Sequence, residues 1–558
     1  MRRCTLISIS LFVSALLILG LFLLIPFPLA IFQKIVDSQV YIQRNSKGQF
    51  PKSTYYWSNL PAIQHFDFYF FNVTNPDEVL YNGAKAHVLQ VGPYSYAERE
   101  FKENINWMNG DNMVYYSNNK TWTFDPQNSC TTCGYEDPLN MPNLPFMTLL
   151  KMKIDNNLND FAVKVLDIFS LLLGEYPLRV VPMAGATFSG YNDPLIDFMN
   201  SNLSIALSKT FGISFPQQPA GGFFPYYNHT ADGSYYTLTG KDNVNNLGLI
   251  QKWVNSSHLP WWRDDNAQDI SNSGDGSFQK PNLKKQDQLK QFQSFVCRSF
   301  YLNYDSSVSN RNIPAYRFKM DDDTFDTTLR KNKGYQYENY EKIDYFPTWP
   351  CGADHQYNAT AGCIVDCSQR ENWCSSCCNG THYKDTVFLP PGMFPLRCFP
   401  GKYELLPLAA FISPPHFIWS PPEVQENVYG LQPDPAIHHP GVFDINPVTG
   451  STVGGFFRTQ FNVPIYNSQQ FTVPSTIRNS FIPCFWLNLR IEMLDYSHNY
   501  LLFNTVTLPH IILGVGIGLT AVACLLLVLL VICYVRSRRT KKSSSFEPSN
   551  GTYVTRDW

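Results

Sequence analysis

The stretch IILGVGIGLTAVACLLLVLLVICYV, Ile511 to Val535, decides how the rest of this chain is read. Its 25 positions contain no Asp, Glu, Lys or Arg. As a helix it extends roughly 37 Å, enough to cross an oily core of about 30 Å with some tilt. Arg536, Arg538, Arg539, Lys541 and Lys542 follow at once. Basic residues this close to a span mark its cytosolic side, which puts the preceding chain outside the cytosol.

A second uncharged run, Thr5 to Phe32, stands behind Arg2 and Arg3. A cleaved signal peptide has an apolar region of about 7–15 residues and a small-x-small cleavage site. This run is longer, and Pro26-Phe27-Pro28-Leu29-Ala30 is a poor cleavage signal. The run therefore reads as an uncleaved anchor. Expected are a cytosolic N-terminus at 1–4, a first span at 5–32 and an ectodomain at 33–507. A second span at 508–535 and a cytosolic tail at 536–558 complete the arrangement. Sequons at Asn72, Asn119, Asn202, Asn228, Asn255, Asn358 and Asn379 all fall in that ectodomain, as glycosylation requires.

A formal charge of −2 gives no reason to expect nucleic acid as a partner. Aromatic content of 15% and 39 prolines favour a β-rich, loop-rich ectodomain. Of 14 cysteines, Cys4, Cys524 and Cys533 lie in or beside the spans, where Cys4 and Cys533 are candidates for palmitate. The other eleven face an oxidising compartment, so disulfides are the default. Six crowd together: Cys351, Cys363, Cys367, Cys374, Cys377 and Cys378, with pairing left open. Eleven is odd, so one thiol is free or bonded to another chain. A zinc site from Cys130-x-x-Cys133 with Cys374-x-x-Cys377 is the minority reading.

Phe66 to Val73, Ala86 to Tyr96, Tyr235 to Leu238, Phe295 to Tyr304, Ala315 to Met320 and Gly454 to Val463 have the texture of strands. Together they imply a large antiparallel sheet or barrel. Leu158, Phe161, Ala162, Val165, Leu166, Phe169, Leu172 and Leu173 instead repeat at helical spacing, with Asn156 or Asn157 as cap and Gly174 as stop. Val163, Ile168 and Leu171 widen its apolar stripe beyond one core face. Such a helix is either buried on most sides or offers apolar surface to a partner.

No Gly-x-Ser-x-Gly elbow, His-Glu-x-x-His helix or phosphate loop occurs, and neither an enzyme nor a cofactor is indicated. Asp321-Asp322-Asp323 with Asp326 lacks the glycine and distal Glu of a calcium loop and reads as a solvated acidic turn, with no metal expected. His438-His439 reads as loop.

Several blocks resemble the class B scavenger receptor family, that of fatty acid translocase and the type 2 lysosomal integral membrane protein. They are Phe70-Phe71-Asn72-Val73-Thr74-Asn75-Pro76 with Val91-Gly92-Pro93-Tyr94, and Asn228-His229-Thr230-Ala231-Asp232-Gly233 with Thr239-Gly240-Lys241-Asp242. Cys297-Arg298-Ser299-Phe300-Tyr301, Ile313-Pro314-Ala315-Tyr316-Arg317-Phe318, Pro415-His416-Phe417 and Asp444-Ile445-Asn446-Pro447 follow in family order.

The resemblance implies a mainly β fold with helical decoration: an antiparallel β-barrel ectodomain with apical helices at about 144–203 and an apolar tunnel toward the bilayer. It implies capture of lipids, fatty acids, sterols or lipoproteins, and of protein or apoptotic-cell ligands, without a chemical step. Lys151, Lys153, Lys164, Phe161, Phe169 and Leu172 are then candidate ligand contacts at the apex, and Cys297 pairs with Cys398. Where some relatives carry a lysine cluster, this chain has Gly174-Glu175-Tyr176-Pro177. The tail lacks an acidic dileucine signal, which favours the plasma membrane over endosome or lysosome. Gly514-x-x-x-Gly518 offers a close-packing face to the first span or to a second copy in a homo-oligomer. The rival reading is a subunit of a two-span ligand-gated channel, which needs polar groups inside the spans.

Overall fold

The computed structural model describes residues 3–155, 158–211, 218–337, 389, 391–398, 400–402 and 409–543. The chain forms two compact units, Val40–His498 and a second that joins Met1–Gln39 to Asn499–Trp558. The Cys351 to Cys378 block, Asn358 and Asn379 lie outside the described residues.

Fifteen strands are defined among the described residues. In the first half of the chain these are β1 Ala62–Val73, β2 Val88–Met108, β3 Met113–Phe124, β4 Pro138–Pro142, β5 Leu178–Pro182, β6 Thr230–Leu238 and β7 Ile250–Trp253. In the second half they are β8 Leu289–Gln293, β9 Arg298–Asn310, β10 Ile313–Met320, β11 Phe394–Pro395, β12 Phe411–Ser413, β13 Gly441–Ile445, β14 Thr452–Ile465 and β15 Ser480–Met493. One antiparallel sheet runs in the order β7-β6-β3-β2-β1-β15-β14-β13-β10-β9-β8, with β12 and β11 branching from β14. β4 and β5 pair separately.

The expectation of a closed barrel is corrected here. The ladder is open, because β7 and β8 do not pair. Their backbones are linked through Ser273-Gly274, where Ser273 bridges Ile250 and Gly274 bridges Gln291.

Alternation explains the two faces of β1. Gln64, Phe66, Phe68 and Phe70 point to the inner face; His65, Asp67, Tyr69 and Phe71 point to the other. On that outer face Asp67 accepts from Arg490 Nε at 2.6 Å and Ser95 Oγ at 2.7 Å. Pro415-His416-Phe417 packs over it, with His416 and Phe417 at φ of 54° and 55°. That left-handed backbone costs about 1–3 kcal/mol. His416 offsets it by fixed contacts: its N–H donates to Gln460 Oε1 at 2.7 Å, and its ring stacks on His438 at 4.1 Å. His438 and His439 are buried rather than loop residues in solvent.

In the other unit, the helix Arg3–Leu24 continues through a wide turn, Phe27–Ile31, into Phe32–Val40. Asp495–Leu502 likewise continues through Phe503–Thr507 into Leu508–Ser543. Both terminal helices are long and apolar enough to cross a membrane. They pack on each other where Gly20 faces Thr520 and Gly516; a Cβ on Gly20 would come within 2.8 Å of Thr520 N. Small residues let backbones approach this closely. The glycine used is Gly516, whereas Gly514 and Gly518 face open space. Thr520, the polar group a pore reading needs most, donates to Gly516 O at 2.8 Å inside its own helix.

Candidate functional site: an outward apolar helix and a packed inner face

The periodic segment forms a helix at Asp160–Leu172. Its cap is Asn159, whose Oδ1 accepts from Ala162 N at 2.9 Å, instead of Asn156 or Asn157. Gly174, at φ 68°, ends it as expected. Ala162, Val163, Leu166, Asp167 and Ser170 are buried. The opposite face is also apolar: Phe161 is 67% exposed, Ile168 47% and Leu172 76%, with Leu171 beside them. A helix whose exposed face is this apolar departs from ordinary surface amphipathicity.

The six candidate contacts separate. Phe161 and Leu172 stand outward. Phe169 is half-buried, its ring stacked on Phe198 at 4.8 Å. Lys151 is buried at 8% exposure rather than displayed. The side chain of Lys153 lies outside the described residues. Lys164 donates to Asp167 at 2.8 Å. Asp167 also accepts from Thr472 N at 2.8 Å and Thr472 Oγ1 at 3.0 Å, which ties the helix to the segment before β15. Burial works against its charge, yet these donors hold its carboxyl below the usual range. Ile168 was legible as a widening of the stripe, but not as an outward residue.

Among the sequons, Asn202 and Asn255 are exposed. Asn72, Asn119 and Asn228 are half-buried. Asn228 clamps β3, donating to Trp122 O and accepting from Trp122 N, both at 2.8 Å. Cys297 and Cys398 are bonded, the pairing the resemblance implied. Cys130 and Cys133 are bonded to each other, which removes the zinc reading. Cys484 is a buried free thiol whose pKa burial raises. Cys533 is exposed on its helix, and the side chain of Cys4 lies outside the described residues. Asp323 pairs with Lys331 at 2.6 Å, and Asp321 accepts from Asn303. Among the described residues no group of three His, Cys, Asp or Glu is placed to hold a metal ion.

The inner face has two halves. One is aromatic: Phe68 stacks on Phe70 at 5.9 Å and meets Phe485 at 5.4 Å, and Phe66 meets Trp122 and Phe295. Phe66, Phe68, Phe70 and Phe485 are wholly buried, so no water-sized space adjoins them. The expected tunnel is therefore not open between these rings. A cavity of about 20 Å³, lined by Leu144, Thr148, Ile196 and Met199 among others, suits one water rather than a lipid.

The other half is charged, and pattern reading missed it. Lys120 Nζ lies 3.2 Å from Glu98, 3.5 Å from Glu100 and 3.4 Å from Asp232. Lys102 lies 3.0 Å from Glu100 and over the rings of Trp57 and Tyr116. Burial raises the Asp232 carboxyl. Burial also works against charge on Glu100, but Lys102 and Lys120 overcome it and bring its pKa to about 2. Arg298, nearby in sequence to the disulfide, is buried among the rings of Tyr335 at 3.9 Å, Phe394 at 4.7 Å and Phe300 at 4.9 Å. Its Nη2 donates to Thr324 O and Asn332 Oδ1.

Among the described residues these features offer apolar surface on a rigid shell. The family model described as CD36 family matches residues 11–534. An uncharacterised protein of Caenorhabditis elegans is 30% identical over 519 residues, 91% of this chain and 94% of its own length. Lysosome membrane protein 2 of Mus musculus is 25% identical, covering 87% of this chain and 88% of its own. Scavenger receptor class B member 1 of Rattus norvegicus is 26% identical, covering 86% and 81%. With a match that spans nearly the whole length and two candidate membrane helices at its ends, the chain belongs to the CD36 family.

Proposed function

We propose that this protein is a two-pass membrane receptor that captures lipid or lipoprotein on the outward face of helix Asp160–Leu172 and passes lipid to the bilayer without a chemical step. The observation that carries this reading is the display of Phe161, Ile168 and Leu172 along one helix. Exposed apolar surface of this kind marks a site for a partner. An acyl chain or sterol gains about 0.8 kcal/mol for each methylene it buries there. Lys164 is engaged by Asp167, so the contact offered is apolar more than cationic. That favours neutral lipid, or an apolar patch on a lipoprotein, protein or apoptotic cell, over recognition of an anionic shell.

In this reading residues 33–507 lie outside the cytosol, with residues 1–4 and 536–558 inside. The plasma membrane is the working location, with endosome or lysosome as a second, and the names of the relatives support both. Passage of lipid between Phe66, Phe68, Phe70 and Phe485 requires those rings to part, because they leave no water-sized gap at rest.

The test is lipid extraction from the full-length protein purified in a synthetic detergent, followed by mass spectrometry and a transfer assay between vesicles. Co-purifying lipid and accelerated transfer are expected. A chain free of lipid that neither binds nor transfers it would refute the reading; ion current on expression would favour a channel instead.

A further inference from the structure

The charged half of the inner face holds more acids than bases. Among the described residues Glu98, Glu100 and Asp232 share Lys102 and Lys120, and Asp275 draws on Lys102 as well at 3.9 Å. Asp232 is well supplied with donors, accepting from Ser294 Oγ at 2.8 Å and Tyr235 OH at 3.0 Å. Glu100 has Lys102, Lys120 and Gln64. Glu98 differs. Its Oε1 accepts from Gln64 at 3.0 Å and Lys120 at 3.2 Å, while its Oε2 has no hydrogen-bond partner among the described residues and the residue is 0% exposed.

A bare carboxylate oxygen in a dry interior is costly, and so is an uncompensated charge. One proton on Oε2 removes both costs. We propose that Glu98 is a proton-binding site of the folded protein, filled in acidic surroundings and emptied as the pH rises past neutrality. Burial, opposed by Lys120 and reinforced by Glu100 and Asp232, brings its pKa up to about 7. The other titratable groups of the cluster are Tyr116 on β3, Tyr235 on β6 and Asp275. Burial keeps both phenols neutral, and Asp275 lies 3.9 Å from Lys102. The inner face thus gains negative charge as the pH rises from acidic values through neutrality.

The test uses full-length protein in detergent, followed by infrared difference spectroscopy from about pH 5.5 to about pH 8.5. Expected is a buried protonated-carboxyl band that disappears with a midpoint near 7, and that is missing from Glu98→Gln. Proton uptake over the same range should fall by one per chain in that variant. Asp232→Asn, which removes a repelling carboxylate, should move the midpoint down; this arm stands even where Glu98→Gln does not fold. No such band in the unmodified protein, its persistence in Glu98→Gln, or an unmoved midpoint in Asp232→Asn would each overturn the proposal.

Discussion

Replacing both Phe161 and Leu172 by Asp separates a docking face from a structural one. Full burial of a Phe or Leu side chain contributes about 1.5–3 kcal/mol. Phe161 and Leu172 leave 67% and 76% of their surface for a ligand to cover. Together that makes about 2–4 kcal/mol available to binding, or about 30- to 700-fold in Kd. The same change should move folding stability by no more than about 0.5 kcal/mol per site, since little is buried at rest. Phe169→Ala is the internal contrast: it loses the stack on Phe198 and should cost about 2–3 kcal/mol of stability. The assay is flotation with neutral phospholipid vesicles and with lipoprotein, beside thermal unfolding of each variant. Unchanged flotation by a well-folded double variant would refute the docking role. Unfolding of the double variant would show that these side chains are core.

Four further outcomes are expected. Loss of Cys297–Cys398, which closes a loop of 101 residues in sequence separation, should destabilise by about 5 kcal/mol and block export, against about 2 kcal/mol for Cys130–Cys133; denaturant titration of the two double-serine variants measures this. Arg298→Lys should cost about 2 kcal/mol in the same assay, because a compact ammonium cannot stack flat against Tyr335 and Phe394. Burial, with His438 beside it, holds His416 at about 3, and burial holds His438 and His439 at about 4. Their folded values lie below the unfolded value of about 6.5, so this stability is intact above that pH and is lost as pH falls toward 4, by about 2 kcal/mol per ring at about pH 5; melting curves across that window read it, and a flat profile would contradict it. Gly20→Leu should separate the two terminal helices, whereas Gly514→Leu should leave their pairing intact, as engineered cross-linking between them would report.

Much of this architecture is written locally. Phe66 to Val73 reads as a strand from its aromatic and β-branched residues, and the spacing from Leu158 to Leu173 gives its helix to within two residues. The charged half of the inner face is not written locally. In Ala97-Glu98-Arg99-Glu100-Phe101-Lys102 the ionic residues at every second place look like a solvated edge, with Ala97 and Phe101 as the core side. The fold inverts this, because Lys120 arrives from β3 to pair with Glu98 and Glu100, and that partner is not visible from β2 alone. Lys151 failed in the opposite direction. Its charge marked it for the surface, and the packing of helix Leu144–Asp155 turned it inward. The outward side of Asp160–Leu172 could be suspected from its excess of apolar residues, but which of them are displayed depends on where Phe198 and Thr472 lie.

The Ser273-Gly274 stretch gives the curled sheet a seam. Twelve residue pairs zip β14 to β15, yet β7 and β8 are stitched together by four backbone bonds, from Ile250, Asn272, Gly274 and Phe292. At about 0.5–1.5 kcal/mol apiece, that stitching is within reach of ordinary thermal breathing. Deuterium should enter there ahead of the rest of the wall.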